Sequence, residues 1–166
     1  MNTRRLLVWA GLGAAVFVVG LIAGIVFAES APDVAARQVV REFVVQEPVS
    51  QDLRTSGDVA PTSGGNAGTV TCGRADGLVI DDVIASLDAG HAVIWTQTDD
   101  LAALVAAELD AGASSAWTVA VDDRLDQPVV ATAWGVRMAL TRSDGQLLRA
   151  FVVGYGGQRG LLPDCG

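Results

Sequence analysis

DDVIASLDAGHAVIWTQTDDLAALVAAELDAG, residues 81–112, is the stretch whose reading decides the fold. Val83, Ile84 and Leu87 recur at helical spacing, which predicts a helix over Asp81–Asp88 with Gly90 as its stop. His91-Ala-Val-Ile-Trp95 is an apolar run of strand length and reads as a buried inner strand. Thr98 or Asp99 can cap a second helix, whose Leu101, Leu104, Val105, Glu108 and Leu109 pattern ends at Gly112.

Working outward, Trp117–Val121 reads as a second strand and Asp122–Pro128 as a hairpin turn. Val129–Trp134 then reads as a third strand, antiparallel to the second. Gly135–Leu140 extends that strand or starts a fourth. Asp144 begins a last helix with Leu147, Leu148, Phe151 and Val152 facing inward, fraying at Gly154, Gly156 and Gly157. Upstream, Thr69–Cys72 suits a short strand. Glu47–Gly68 is polar and reads as a linker passing into an ordered loop. Val34–Gln46 reads as a juxtamembrane helix. The expected fold class is α+β, a small mixed sheet packed with helices in the order α-β-α-β-β-α, over residues 69–166.

A second stretch sets the address. Leu6 to Ala28 is 23 residues without a charge, preceded by Arg4 and Arg5 and closed by Glu29. As a helix it would be roughly 34 Å long, enough for a ~30 Å hydrocarbon core. The positive-inside bias puts residues 1–5 in the cytoplasm and the chain beyond 28 outside, with residues 29–68 as juxtamembrane segment and linker. A cleavable signal ending at Val26-Phe27-Ala28, which would release a secreted protein, is the alternative; the apolar run is longer than a usual h-region of ~7–15 residues. Thr3-Arg4-Arg5-Leu6-Leu7 also resembles a twin-arginine signal, weakly. Gly20 and Gly24 have the G-x-x-x-G spacing that lets a second membrane helix approach, although glycine is frequent in such helices anyway.

Composition narrows function by exclusion. All 19 acidic residues lie beyond Ala28, against nine of the 11 arginines, so the outer part carries −10. That argues against nucleic acid and against docking on an anionic membrane face. There is no lysine, which removes phosphate-loop and Schiff-base chemistry that needs one. Cys72 and Cys165 both fall on the outer side, where a disulfide forms and persists; two buried free thiols are the alternative.

Candidate chemistry is sparse. His91 is the only histidine, so a zinc site of the usual His/Cys type cannot be built if the cysteines are bridged. A Ser-His-Asp triad lacks a G-x-S-x-G turn. Asp81/Asp82 and Asp99/Asp100 fall at helix starts and Asp122/Asp123 in a turn, where solvated caps and turns account for them. Ser63-Gly64-Gly65-Asn66-Ala67-Gly68 could cradle an anion but reads as a turn. Trp95, Trp117 and Trp134 read as core. No cofactor and no metal site are expected.

Several short motifs occur in one order: Pro61-Thr62-Ser63-Gly64, Cys72-Gly73, Ser86-Leu87-Asp88-Ala89-Gly90 with Ala92-Val93-Ile94-Trp95, Thr132-Ala133-Trp134-Gly135, and Ala150-Phe151 through Tyr155 to Gln158. Together, over residues 55–166, they resemble a bacterial family known as domain of unknown function 3105. The resemblance implies a single-pass, outward-facing protein of no established activity, with both cysteines at the family's cysteine positions. The family pattern continues the proline loop as Ser-Gly-Pro-His and reads His-Ser-Leu-Glu-His-Gly before the Val-Ile-Trp strand. Here Gly65-Asn66 replace Pro-His, and Ala85, Asp88 and Ala89 replace His, Glu and His. The expected function is therefore a non-catalytic, membrane-tethered module of the cell envelope with a protein partner there. The alternative is a divergent metal binder or hydrolase-like enzyme using Ser63, Asn66, Asp88 and His91.

Overall fold

A computed structural model describes residues 32–50, 59–65, 68–75, 77, 79–110 and 116–157. The apolar run Leu6–Ala28, Asn66, and Cys165 lie outside the described residues. Among the described residues no helix is long and apolar enough to cross a membrane.

The chain is mixed α+β. Helix α1 spans residues 32–40, followed by β1 (Val44–Gln46), β2 (Gly73–Arg74), α2 (Ile80–Asp88), β3 (Ala92–Thr96), α3 (Asp99–Asp110), β4 (Trp117–Val121), β5 (Val129–Ala133), β6 (Val136–Leu140) and α4 (Gly145–Tyr155). The six strands form one sheet in the order β1-β6-β5-β3-β4-β2. β2 and β3 run parallel to β4, while β5, β6 and β1 continue antiparallel on the other side of β3.

Residues 80–110 form α2, β3 and α3 as their pattern predicts. All five residues of β3 are buried, because it is the central strand and both of its faces are covered. Thr98 caps α3: its carbonyl accepts from Ala102 N and its hydroxyl from Leu101 N. Asp144 caps α4, its carboxylate accepting from Gln146 N and Leu147 N.

Two expectations change, and one open alternative is decided. β5 is antiparallel to β4 in direction but not its neighbour; it pairs with β3, Val93 opposite Thr132, so residues 122–128 carry the chain past β3 rather than forming a hairpin. A fully buried strand thereby takes the centre, where two flanking strands satisfy its backbone. Val136–Leu140 is a separate strand, reached through Gly135 at φ +73°, a left-handed turn position. Val34–Gln46 splits: the helix stops at residue 40, and Val44–Gln46 pairs with β6 as an edge strand.

Two cores sit on opposite faces of the sheet. α3, α4 and Val40 of α1 cover one face, meeting Ile94, Val119, Ala131 and Met138 with Leu148, Phe151 and Val105. α2 covers the other, with Val83, Ile84 and Leu87 on Val93, Trp95, Ala120 and Val130, and Ala60 joins them. Residues that the sequence assigns to the juxtamembrane segment and linker thus contribute to the packed domain. α1 is held to α4 at Gly154: Arg37 Nε donates to its carbonyl at 2.6 Å, and a Cβ there would lie 2.9 Å from Arg37 Cγ. The Arg37 guanidinium also lies 5.7 Å from the Tyr155 ring centre.

Candidate functional site

His91 stands one residue before β3 and is fully buried under α2. Its Nδ1 lies 3.3 Å from Thr118 Oγ1 on β4. The Thr118 hydroxyl donates to the Thr71 carbonyl. Ser86 Oγ on α2 accepts from Thr71 N at 2.9 Å and donates to Asp82 O at 2.9 Å. Thr69 N donates to Asp82 Oδ1 at 2.7 Å. Ser86, His91 and Thr118 are all buried, so the bonds they make satisfy groups shielded from water, whereas the Thr69–Asp82 bond is exposed. They staple residues 69–74 between α2 and β4. Burial pulls the His91 pKa below its ordinary value, while a hydrogen bond to the Thr71 backbone pushes it up; burial is the larger effect. The neutral imidazole is therefore the form that the fold favours.

Cys72, the next residue after Thr71, is disulfide-bonded. The staple and the bridge act on the same segment.

Ser63 is also buried and accepts from Ser50 N at 2.9 Å. Its neighbour Thr62 accepts from Gly135 N through its carbonyl and donates from its hydroxyl to Glu47 Oε2 at 3.0 Å. The Ser63 loop is thus fastened to the β5–β6 turn. β3 and β5 are antiparallel, so this turn and His91 belong to the same end of the sheet. Asp88 is the last residue of α2 and half-buried. Each of the three described candidates is thus built into its own part of the frame: a loop fastening, a helix end and a buried polar cluster. Among the described residues, no group of three or more His, Cys, Asp or Glu side chains could hold a metal ion.

The sequence misses a different feature. A cleft of about 520 Å³, open to solvent, lies just beyond the carboxyl ends of the parallel strands β3 and β4. It is lined by Gln97, Thr98, Asp99, Val121, Asp122, Asp123 and Arg124. This is where the chain's path reverses across the sheet, β4 on one side of β3 and β5 on the other, the usual place for a crevice in a sheet with parallel strands. Asp122 is not the solvated turn residue that its position suggests. It is buried, and its carboxylate accepts from Arg124 N at 3.1 Å, Arg124 Nε at 2.8 Å and Arg124 Nη2 at 2.6 Å. The Arg124 hydrogen bond holds its pKa below the ordinary carboxylate value, although burial pushes the other way. Asp99 at the rim pairs with Arg74 at 2.8 Å across exposed surface. The cleft thus offers polar contacts around a carboxylate already committed to a guanidinium, which suits binding better than proton transfer. Asp122 and Arg124 two residues apart, directly after a strand, was the available signal.

No family model, no curated protein and no solved structure matches this chain.

Proposed function

We propose that the chain is a single-pass envelope protein whose outward-facing α+β domain is an interaction module rather than an enzyme. The apolar run at residues 6–28, the arginines before it and the acidic remainder support the address. The ordered motifs over residues 55–166 support a divergent relationship to domain of unknown function 3105. The observation that carries the non-catalytic reading is the burial of His91. The chain's one histidine is closed into the bonds around Thr71, where it holds a segment in place and is kept neutral. On this reading Cys72 pairs with Cys165, tying the C-terminus to the same segment.

Membrane fractionation with protease accessibility tests the address. The full-length chain should resist alkaline extraction, and a C-terminal tag should be cleaved by protease added to spheroplasts. A soluble chain, or a tag protected until lysis, contradicts the proposal. Calorimetric titration with zinc or copper tests the absence of metal chemistry; stoichiometric binding at micromolar affinity would favour the divergent metal-binding reading.

A further inference from the structure

Five of the seven large apolar side chains exposed among the described residues fall between positions 34 and 49: Val34, Val39, Phe43, Val45 and Val49. They come from α1, the turn after it, and β1 with its exit. β1 is an edge strand, paired only with β6 on its inner side. α2 packs against β3 and β4, so among the described residues no helix lies over the sheet face that carries Val45 at this edge. Val45 is 62% exposed.

We propose that the edge formed by α1 and β1 rests on the lipid headgroup surface of the bilayer and so orients the domain. The inference depends on the reading of residues 6–28 as a membrane helix. Its first support is reach. Val34 lies only six residue steps beyond Ala28, at most ~20 Å fully extended and ~9 Å if helical. The headgroup region adds only ~5–7 Å beyond the hydrocarbon on each side. A segment that leaves the bilayer so close to α1 keeps this edge at the surface. The second support is charge. Residues 32–50 hold Arg37 and Arg41 against Asp33, Glu42 and Glu47, close to neutral, whereas the rest of the outer chain is strongly acidic. The near-neutral apolar edge is the part that phospholipid headgroups repel least. The third is continuity: the apolar side chains follow the membrane run in sequence instead of being scattered over the domain. In this orientation β2 and β4, with the cleft at Gln97–Arg124, lie at the far side of the sheet from the membrane.

The test uses the full-length chain in phosphatidylcholine vesicles, with an environment-sensitive fluorophore on a single cysteine replacing Val39, Val45 or Leu104. Leu104 is a control of similar exposure on α3, which packs over β2, β3 and β4. Flotation with the vesicles is measured first; a chain that stays behind overturns the membrane-helix reading itself. For chains that float, we expect blue-shifted emission at 39 and 45 and severalfold stronger quenching there by headgroup-region nitroxide lipids than at 104. Equal quenching at all three positions overturns the orientation. A blue shift at 45 without lipid quenching also overturns it, because a protein partner, such as the β1 edge of a second copy, then covers the strand.

Discussion

The two faces of the sheet are built by different means. The face under α3 and α4 is closed by apolar side chains, with Phe151, Leu148 and Val105 on Ile94, Val119 and Met138. The face under α2 is covered by a nine-residue helix and short loop segments, and it holds Ser86, His91, Thr118 and Thr132 among its buried residues. Trp95 belongs to this second face, and its Nε1 donates to Thr132 Oγ1 at 2.9 Å. Two helices can close a face by packing alone. One helix leaves strand and loop backbone near the core, and that backbone has to be satisfied by side chains. The chain's single histidine falls on the face that needs polar groups for structure.

The contrast can be broken by substitution. The largest loss is expected on the apolar face: Phe151→Ala removes a fully buried ring and should cost about 3–5 kcal/mol by denaturant unfolding. Removing the bridge with Cys72→Ala should cost about 2–5 kcal/mol. That loss should appear in hydrogen exchange as early opening of residues 69–75 and α2, while α4 stays protected. Free thiols in protein exported by its native host would contradict the Cys72–Cys165 pairing. Near-isosteric changes give the sharpest comparison. Thr118→Val should cost about 1–3 kcal/mol, because it removes from a buried polar cluster the hydroxyl that donates to the Thr71 carbonyl and lies 3.3 Å from His91 Nδ1. Met138→Leu on the apolar face should cost less than ~1.5 kcal/mol, since volume is nearly kept and no polar partner is lost. Equal costs for these two would remove the distinction between the faces.

The smallest effect expected here is Arg124→Ala in the cleft. Asp122 is buried, but the Arg124 side chain is 39% exposed, so solvent screens the pair and the loss should stay near ~1 kcal/mol. A change of several kcal/mol would show that this contact belongs to the core rather than to an open cleft.

Legibility in the sequence follows how local the cause is. α2, β3 and α3 were readable because their apolar spacing and caps lie within 32 consecutive residues. β1 was not, because three residues after a helix carry no period of their own and become a strand only beside Val136, Arg137 and Met138. Nor was the β3–β5 pairing, since a seven-residue connection is compatible with a hairpin as well as with passage across a central strand. The bonds among Thr71, Ser86, His91 and Thr118 join positions up to 47 residues apart, and no pattern of residue types announces them. Asp122 was misjudged for a related reason: its place in a turn implied solvent, whereas Arg124 two residues on allows its burial.

His91 concentrates the account, and its protonation can be read without ambiguity in a chain with one histidine. Burial sets its folded pKa below the ordinary 6.5. As pH falls below about 6.5 the unfolded chain then binds the proton more readily than the native one. The stabilisation that this group contributes is present above that pH and lost as pH falls through the lowered folded value. The most direct measurement is an imidazole nitrogen NMR titration of the folded full-length chain in detergent, in pH and then in zinc. We predict a titration midpoint below 6.5, with shifts unmoved by one equivalent of zinc. A ring that titrates with a midpoint at or above 6.5, or that shifts stoichiometrically with zinc, would contradict a structural His91 and reopen the case for chemistry at this end of the sheet.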